Sequence, residues 1–559
     1  MTAAEWVLGL GGSSHDFSAA LMHGTDIVVA VEEERVSRRK HGFAWWYQNP
    51  VANSVRYCLD AAGIGIEQVT RAVSSDLLPY RVRRDLGVPI TLYPHHLCHA
   101  ASALMMLPPT SRAAILVYDG MGSIRATGME PNPLNVRETF SFFRAGDGRL
   151  ECLGTTCGES LREHNEFPAG CTNSIGMIYE MVTAMLDFDL YDSGKTMGLA
   201  AHGRPRFLDD FRRHARFGAH PDRCFAYDPV APALHATIES ALVAGAHGFG
   251  VKADLAASVQ ALLEETLLSC FALFEGESYD VFALAGGCAL NTVANSVLAA
   301  RLSGGVSLLI PPHAGDTGLS LGALWLDARA RAPGPFTLTF DGRELDPAVS
   351  RPGRLYAREE HDAAVRAFYP RLAQDVRGAS AEELAALLAG GTVMGFFSGR
   401  SEIGPRALGG RSILADPRRA LTRERINREI KGREPFRPLA PMVLAERYGD
   451  YFEDPRQADR FMLRVARCTA RCRAEAPAVV HVDGTSRVQI VDERTDPYLC
   501  AVLRAFEAIT GVAILLNTSF NRRGEPIVES PLDAVDAFLG LGLDALFLDG
   551  DLYRPAAGA

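Results

Sequence analysis

Apolar residues fall along this chain in short runs of strand length, each closed by a turn rich in glycine. Trp6 to Leu10 and Ile27 to Val31 are two such runs, separated by a Gly/Ser turn. Ala113 to Tyr118 is a third. Val281 to Ala285 is a fourth, followed by a glycine pair and a helical pattern. Strands alternating with helical segments predict an α/β architecture. Two turns recur after strands: GLGGSSHD at Gly9 to Asp16 and DGMG at Asp119 to Gly122. Each can bring backbone N–H groups to a phosphate, which points to a duplicated nucleotide-binding fold. Residues 331–354 are rich in proline and glycine and lose the periodicity, so a linker is expected there. The reading is two domains, 1–345 and 355–559, the second opening with Thr392 to Phe397 as a strand.

Composition narrows the class. With 47% hydrophobic and 22% charged residues, a chain of 559 can bury a large core, and disorder is not expected. The net charge of -10 argues against gripping nucleic acid. The start, MTAAEWVLGLGG, lacks a basic region followed by an apolar one, and no run approaches the roughly 20 residues of a membrane span. Eleven scattered cysteines, without a CxxC, fit reduced thiols in a cytoplasmic protein.

Several constellations can carry chemistry. His95 and His99, in YPHHLCHAASAL, sit one turn apart on a helix that Pro94 would start. Asp119 and Asp316 stand at element ends, where α/β folds bind ligands. Two His and two Asp suit a divalent ion such as Fe(II), Mn(II) or Zn(II); helix-cap or surface histidines are the bland alternative. His15 of the first Gly-rich turn can be a general base or a structural histidine. LAGGCALN, with Gly286, Gly287 and Asn291, lets a nucleotide approach the backbone, and Lys195 of DSGKTMGLA can meet a phosphate, although neither is a complete fingerprint. Residues 400–437 hold eleven Arg or Lys against five Asp or Glu. Glu424/Arg428 and Arg425/Glu429 read as pairs on a solvated helix. Arg406, Lys431 and Arg437 instead lie among Gly, Pro and aromatic residues, a setting that suits phosphate or carboxylate recognition.

The strings GLGG-x-x-HD, EEER-x-S-R-x-KH, HH-x-x-HA, GK-x-MGLA, AGG-x-ALN, E-x-GPRALG-x-RS, K-x-RE-x-FRP, HVDGT-x-R and NTSFN-x-x-GEPIV occur in order over nearly the whole chain. Together they resemble the O-carbamoyltransferase family, which includes nodulation-factor, cephamycin, novobiocin, ansamycin and tobramycin carbamoyltransferases. The resemblance implies a duplicated actin-like ATPase domain, similar to threonylcarbamoyl transferases, followed by a YrdC-like domain that forms carbamoyl-adenylate. It implies ATP and carbamoyl phosphate as co-substrates, and a small-molecule hydroxyl, such as that of an antibiotic, as acceptor. Residue by residue, it implies His95, His99, Asp119 and Asp316 as ligands of a metal, iron(II) by expectation, with Mg accompanying ATP. It further implies His15 as the base, Gly286, Gly287 and Asn291 as nucleotide contacts, and Lys431, Arg437, Arg487 and Ser519 as the carbamoyl-phosphate and adenylate site, with Arg406 close by. Neither nucleic acid nor membrane is an expected partner. The aromatic segment GFAWWYQNP, Gly42 to Pro50, is either a core patch or an apolar wall for the acceptor.

Overall fold

A computed structural model describes residues 4–42, 51–125, 136–146, 149–161, 170–189, 191–227, 232–245, 248–332 and 336–556. The chain is mixed α/β, as expected, with three large sheets. In the first, the neighbours run Arg343–Glu344, Thr339–Phe340, Asp26–Glu32, Ser18–His23, Trp6–Gly11, Val69–Ser75 and Ile90–Tyr93. In the second they run Ser307–Leu309, Val281–Ala285, Ala113–Tyr118, Val136–Gly146, Arg149–Leu161 and Gly170–Cys171.

The duplication is visible in the strand order. In each of these sheets the first three strands in the chain form an antiparallel meander. In the first sheet the next two strands add on the far side of the first, giving the spatial order 3-2-1-4-5; in the second, the short strand Gly170–Cys171 extends the meander, and Val281–Ala285 and Ser307–Leu309 then add on the far side of the first. In the second sheet the added strands pair in parallel. Ala113–Tyr118 and Val281–Ala285 are central there and almost wholly buried, which is why they read as continuous apolar runs.

The third sheet has eight strands, in the order Leu372–Val376, Asp551–Pro555, Ala545–Leu548, Met394–Phe397, Arg411–Ala415, Ile514–Ser519, Ala440–Leu444 and Gln489–Val491. Its core includes Phe396, Ile413, Met442, Leu515 and Phe547.

Contacts group the chain into two compact units. One comprises Met1–Ala72, Pro79–Ile90 and Leu338–Ala559, the other Val73–Leu78 and Thr91–Thr337. The linker composition marks a boundary at 345–355, but residues 339–344 complete the edge of the first sheet, and that sheet's leading strands group with the stretch after 338. Among the described residues, one helix, Phe249–Ala272, is long and apolar enough to cross a membrane, and most of it is buried in the protein.

Candidate active site

The unit Val73–Leu78 and Thr91–Thr337 holds a four-residue cluster. Pro94, in extended conformation, precedes the helix His95–Leu104, and the i, i+4 spacing stacks His95 and His99 with ring centroids 4.8 Å apart. The Ser123 hydroxyl accepts the His95 N–H at 2.7 Å and donates to Asp76 at 2.8 Å, so the turn after DGMG caps this helix. Asp119 follows the strand Ala113–Tyr118, and Asp316 opens the short turn into the helix Leu319–Arg331. Both imidazoles are fully buried, and both carboxylates nearly so.

The cluster fits a divalent ion. The two Nε2 atoms lie 3.2 Å apart, and they face Asp119 Oδ2 at 3.3 and 3.7 Å and Asp316 Oδ1 at 3.5 Å each. Ligands about 2.1 Å from one ion are separated by about 3.0 Å at a right angle and about 3.4 Å at a tetrahedral one. Without a cation the set balances itself with protons. Burial pulls the His95 imidazole down, but Asp316 and Asp119 outweigh it and push it up to about 10. Burial likewise opposes ionisation of Asp119, yet the two histidines hold it well below the usual carboxylate range.

The glycine pair of AGG serves this cluster. Gly287 donates its N–H to Asp119 Oδ1 at 2.8 Å, leaving Oδ2 to the histidines. Gly286 has φ +92, and a Cβ there would lie 2.4 Å from the Tyr118 carbonyl oxygen. The Asn291 side chain caps the helix Thr292–Arg301 at Ala294 N–H and exchanges amide hydrogen bonds with Gln260 at 2.9 and 3.0 Å. Lys195 pairs with Asp192 at 2.6 Å and lies over the Phe188 ring. His96 is set apart from the ligands: it bonds Ser141 at 2.8 Å, and burial takes it down to about 4, so it is a neutral core imidazole.

The basic residues gather in the other unit because of strand register. Ser519 ends its strand, while Arg406, Arg437 and Arg487 precede the strands Arg411–Ala415, Ala440–Leu444 and Gln489–Val491. The first two of these run antiparallel to Ile514–Ser519, and the third is parallel to Ala440–Leu444. All four segments therefore reach the same end of the sheet. Lys431 follows the π-helical turn Arg425–Ile430 and donates to the Ser519 carbonyl, the Ser519 hydroxyl and Asn521 Oδ1 at 2.6, 3.1 and 2.9 Å.

This end of the sheet is short of negative charge. Burial lowers the Lys431 ammonium far below its usual range, with Arg433 and Arg437 adding to the effect. Burial and Arg437 take Arg406 down to about 10 and Arg433 to about 9, and burial with three neighbouring arginines lowers Arg487 strongly. The Nε atoms of Arg406 and Arg487 are buried without a hydrogen-bond partner, and neither residue forms an ion pair among the described residues. Among the described residues the Arg437 side chain pairs with one carboxylate, Glu434, at 3.8 Å. Buried cations left unpaired are the complement of an anionic ligand. Arg433 and Asn521 were missed in the sequence reading, although both stand in strings quoted above, KGREPFRP and NTSFN.

His15 belongs to this same unit. Its Nδ1 bonds Asp16 at 2.9 Å, and the other Asp16 oxygen bonds His41 Nδ1 at 2.9 Å. Burial alone would raise Asp16, but the hydrogen bonds from His15 and His41 hold it far below the usual carboxylate range. His41, the end of EEERVSRRKH, was not among the expected residues. Phe43 to Pro50, the bulk of the aromatic segment, lies outside the described residues.

Comparison with known proteins identifies the family. The family described as "Carbamoyltransferase N-terminus" matches residues 74–325, and "Carbamoyltransferase C-terminus" matches residues 385–554. Nodulation protein NolNO of Sinorhizobium fredii is 32% identical over 97% of this chain and 79% of its own length. Nodulation protein NolO of Bradyrhizobium diazoefficiens is 35% identical over 74% of this chain and 75% of its own. The 3'-hydroxymethylcephem-O-carbamoyltransferase of Amycolatopsis lactamdurans is 34% identical over 66% of each.

Proposed function

The chain belongs to the carbamoyltransferase family, and from that premise we propose that it is an ATP-dependent O-carbamoyltransferase working through carbamoyl-adenylate. The acceptor is a hydroxyl of a small molecule, in our reading a secondary metabolite such as an antibiotic, and the setting is cytoplasmic. Carbamoyl phosphate gives up its carbamoyl group with uptake of one water, releasing inorganic phosphate. The carbamate oxygen then takes the α-phosphorus of ATP, and pyrophosphate leaves. The acceptor oxygen next attacks the carbamoyl carbon, its proton passes to His15, and AMP departs.

The observation that carries this reading is the gathering of the buried Lys431 with the half-buried Arg406, Arg433 and Arg487, none of which forms an ion pair among the described residues. Two polyanions, ATP and carbamoyl phosphate, repel each other in water, and a preorganised cationic pocket offsets that repulsion. In transfer, Asp16 holds His15 Nδ1 and stabilises the imidazolium that forms. His95, His99, Asp119 and Asp316 are suited to hold the divalent ion, iron(II) by family expectation, which when bound anchors phosphate or polarises a carbonyl. Gly286 and Gly287 keep Asp119 oriented for that ion. Purified protein given ATP, carbamoyl phosphate and a panel of hydroxylated metabolites should release pyrophosphate and yield a product heavier by one carbamoyl group. A phosphorylated product would instead favour a sugar-kinase-like activity.

A further inference from the structure

The motif EEERVSRRKH supplies none of the groups used above, apart from His41. Its contacts run to residues more than 350 positions away, inside the same compact unit. Glu32 ends the strand Asp26–Glu32, and the helix Glu33–Ser37 follows at once. Arg35 is fully buried. Its Nε donates to Glu32 Oε2 at 2.5 Å and its Nη2 to the Gly404 carbonyl at 2.7 Å, while Glu32 Oε1 accepts the Gly404 N–H at 2.9 Å. Both backbone groups of Gly404, two residues before Arg406, are thus held by one ion pair.

The rest of that loop is wound around a second carboxylate. Glu402 Oε1 accepts the N–H groups of Leu408, Gly410 and Arg411 at 2.7, 2.6 and 3.0 Å. Its other oxygen lies 3.9 Å from Arg35 Nη1. Both nearby carboxylates are therefore committed to Arg35 and to backbone N–H groups, and neither pairs with Arg406. Just past the helix, Arg38 donates to the carbonyls of Pro526 and Ile527 at 2.9 and 2.7 Å. These close the segment that carries Ser519 and Asn521, the partners of Lys431. A buried ion pair is a weak device for stability, because desolvation offsets much of its attraction; its best-attested use is to fix a register.

We propose that Glu32, Arg35 and Arg38 are positioning residues for a phosphate-binding pocket: they set the Arg406 loop and the Ser519–Asn521 segment at the spacing a phosphorylated substrate requires. The inference rests on the proposed carbamoyl phosphate and ATP site. It makes the first forty residues necessary for the half-reaction whose ligands all lie after residue 400.

The test uses the full chain, with inorganic phosphate as the calorimetric probe and the KM for carbamoyl phosphate as a second readout. Arg487→Ala reports on the pocket itself. Arg38→Ala, Arg35→Lys and Glu32→Gln report on the brace. Arg38 is partly exposed, so its variant decides the matter if the buried ones do not fold. The brace variants should weaken phosphate and raise KM by about tenfold or more, with kcat changed less. If Arg487→Ala abolishes phosphate binding while folded Arg38→Ala binds within about twofold of the parent, the positioning role is wrong and the pocket stands. If Arg487→Ala binds phosphate like the parent, the pocket reading fails and the brace falls with it.

Discussion

The two charge-dense sites of this protein solve opposite electrostatic problems. At His95, His99, Asp119 and Asp316, cationic and anionic groups face each other within 3.7 Å, so the cluster is balanced by protons when no metal is bound. At Arg406, Lys431, Arg433 and Arg487 the cations repel one another, and few carboxylates answer them. The first arrangement exchanges protons for a cation. The second stays unbalanced until an anion arrives. That difference is the physical ground on which a cation is proposed for the first site and an anion for the second.

The contrast can be broken in several ways. Arg487→Ala removes a guanidinium that burial and three neighbouring arginines disfavour, and pyrophosphate release should fall by about 10²- to 10³-fold. A drop of only a few fold would mean that the cluster serves structure. At the balanced site, Gly287→Ala would place a Cβ 2.9 Å from Asp119 Oδ1 and turn the carboxylate that Gly287 N–H now holds. Metal affinity, read by chelator competition, should weaken by about 10- to 100-fold. His15→Asn should cut transfer from synthetic carbamoyl-adenylate by more than about tenfold, or about 1.4 kcal/mol, while leaving pyrophosphate release in place.

The smallest expected effect is a pH dependence. His95 holds its proton up to about 10 in the metal-free protein. A metal must displace that proton, so divalent affinity should climb as pH rises from 7 toward 10, with proton release seen by calorimetry in buffers of different ionisation enthalpy. The sign for the fold is the reverse. A histidine raised above its ordinary 6.5 stabilises the metal-free protein below that pH, and the contribution is lost as pH rises through about 10. An affinity flat across this range would show that the histidines are already neutral.

Much of this was legible in the sequence where the signal is local. Ala113–Tyr118 and Val281–Ala285 were read to the residue, because central buried strands are apolar throughout. The gathering of His95, His99, Asp119 and Asp316 was expected from helical spacing and element ends. Long-range pairing was not legible. Arg425 pairs with Asp544 at 2.8 Å rather than with Glu429 one turn away, although Glu424 and Arg428 do pair, at 2.7 Å. The helix widens there into the π-turn Arg425–Ile430, which no i, i+4 rule anticipates. Likewise, no local pattern in EEERVSRRKH announces that Arg35 binds Gly404. The grouping of the first strands with the stretch after 338 rests on such distant contacts, which a linker's composition does not encode.

The central claim is that activation and transfer use separate groups: the cations around Lys431 for activation, and His15 with the His95 cluster for transfer. The direct test measures both half-reactions on two folded variants: pyrophosphate release from ATP and carbamoyl phosphate, and transfer from synthetic carbamoyl-adenylate. Lys431→Ala should lose pyrophosphate release and keep transfer, whereas His95→Ala should keep pyrophosphate release and lose transfer. Equal loss of pyrophosphate release in both variants would contradict the account and point to a single shared site.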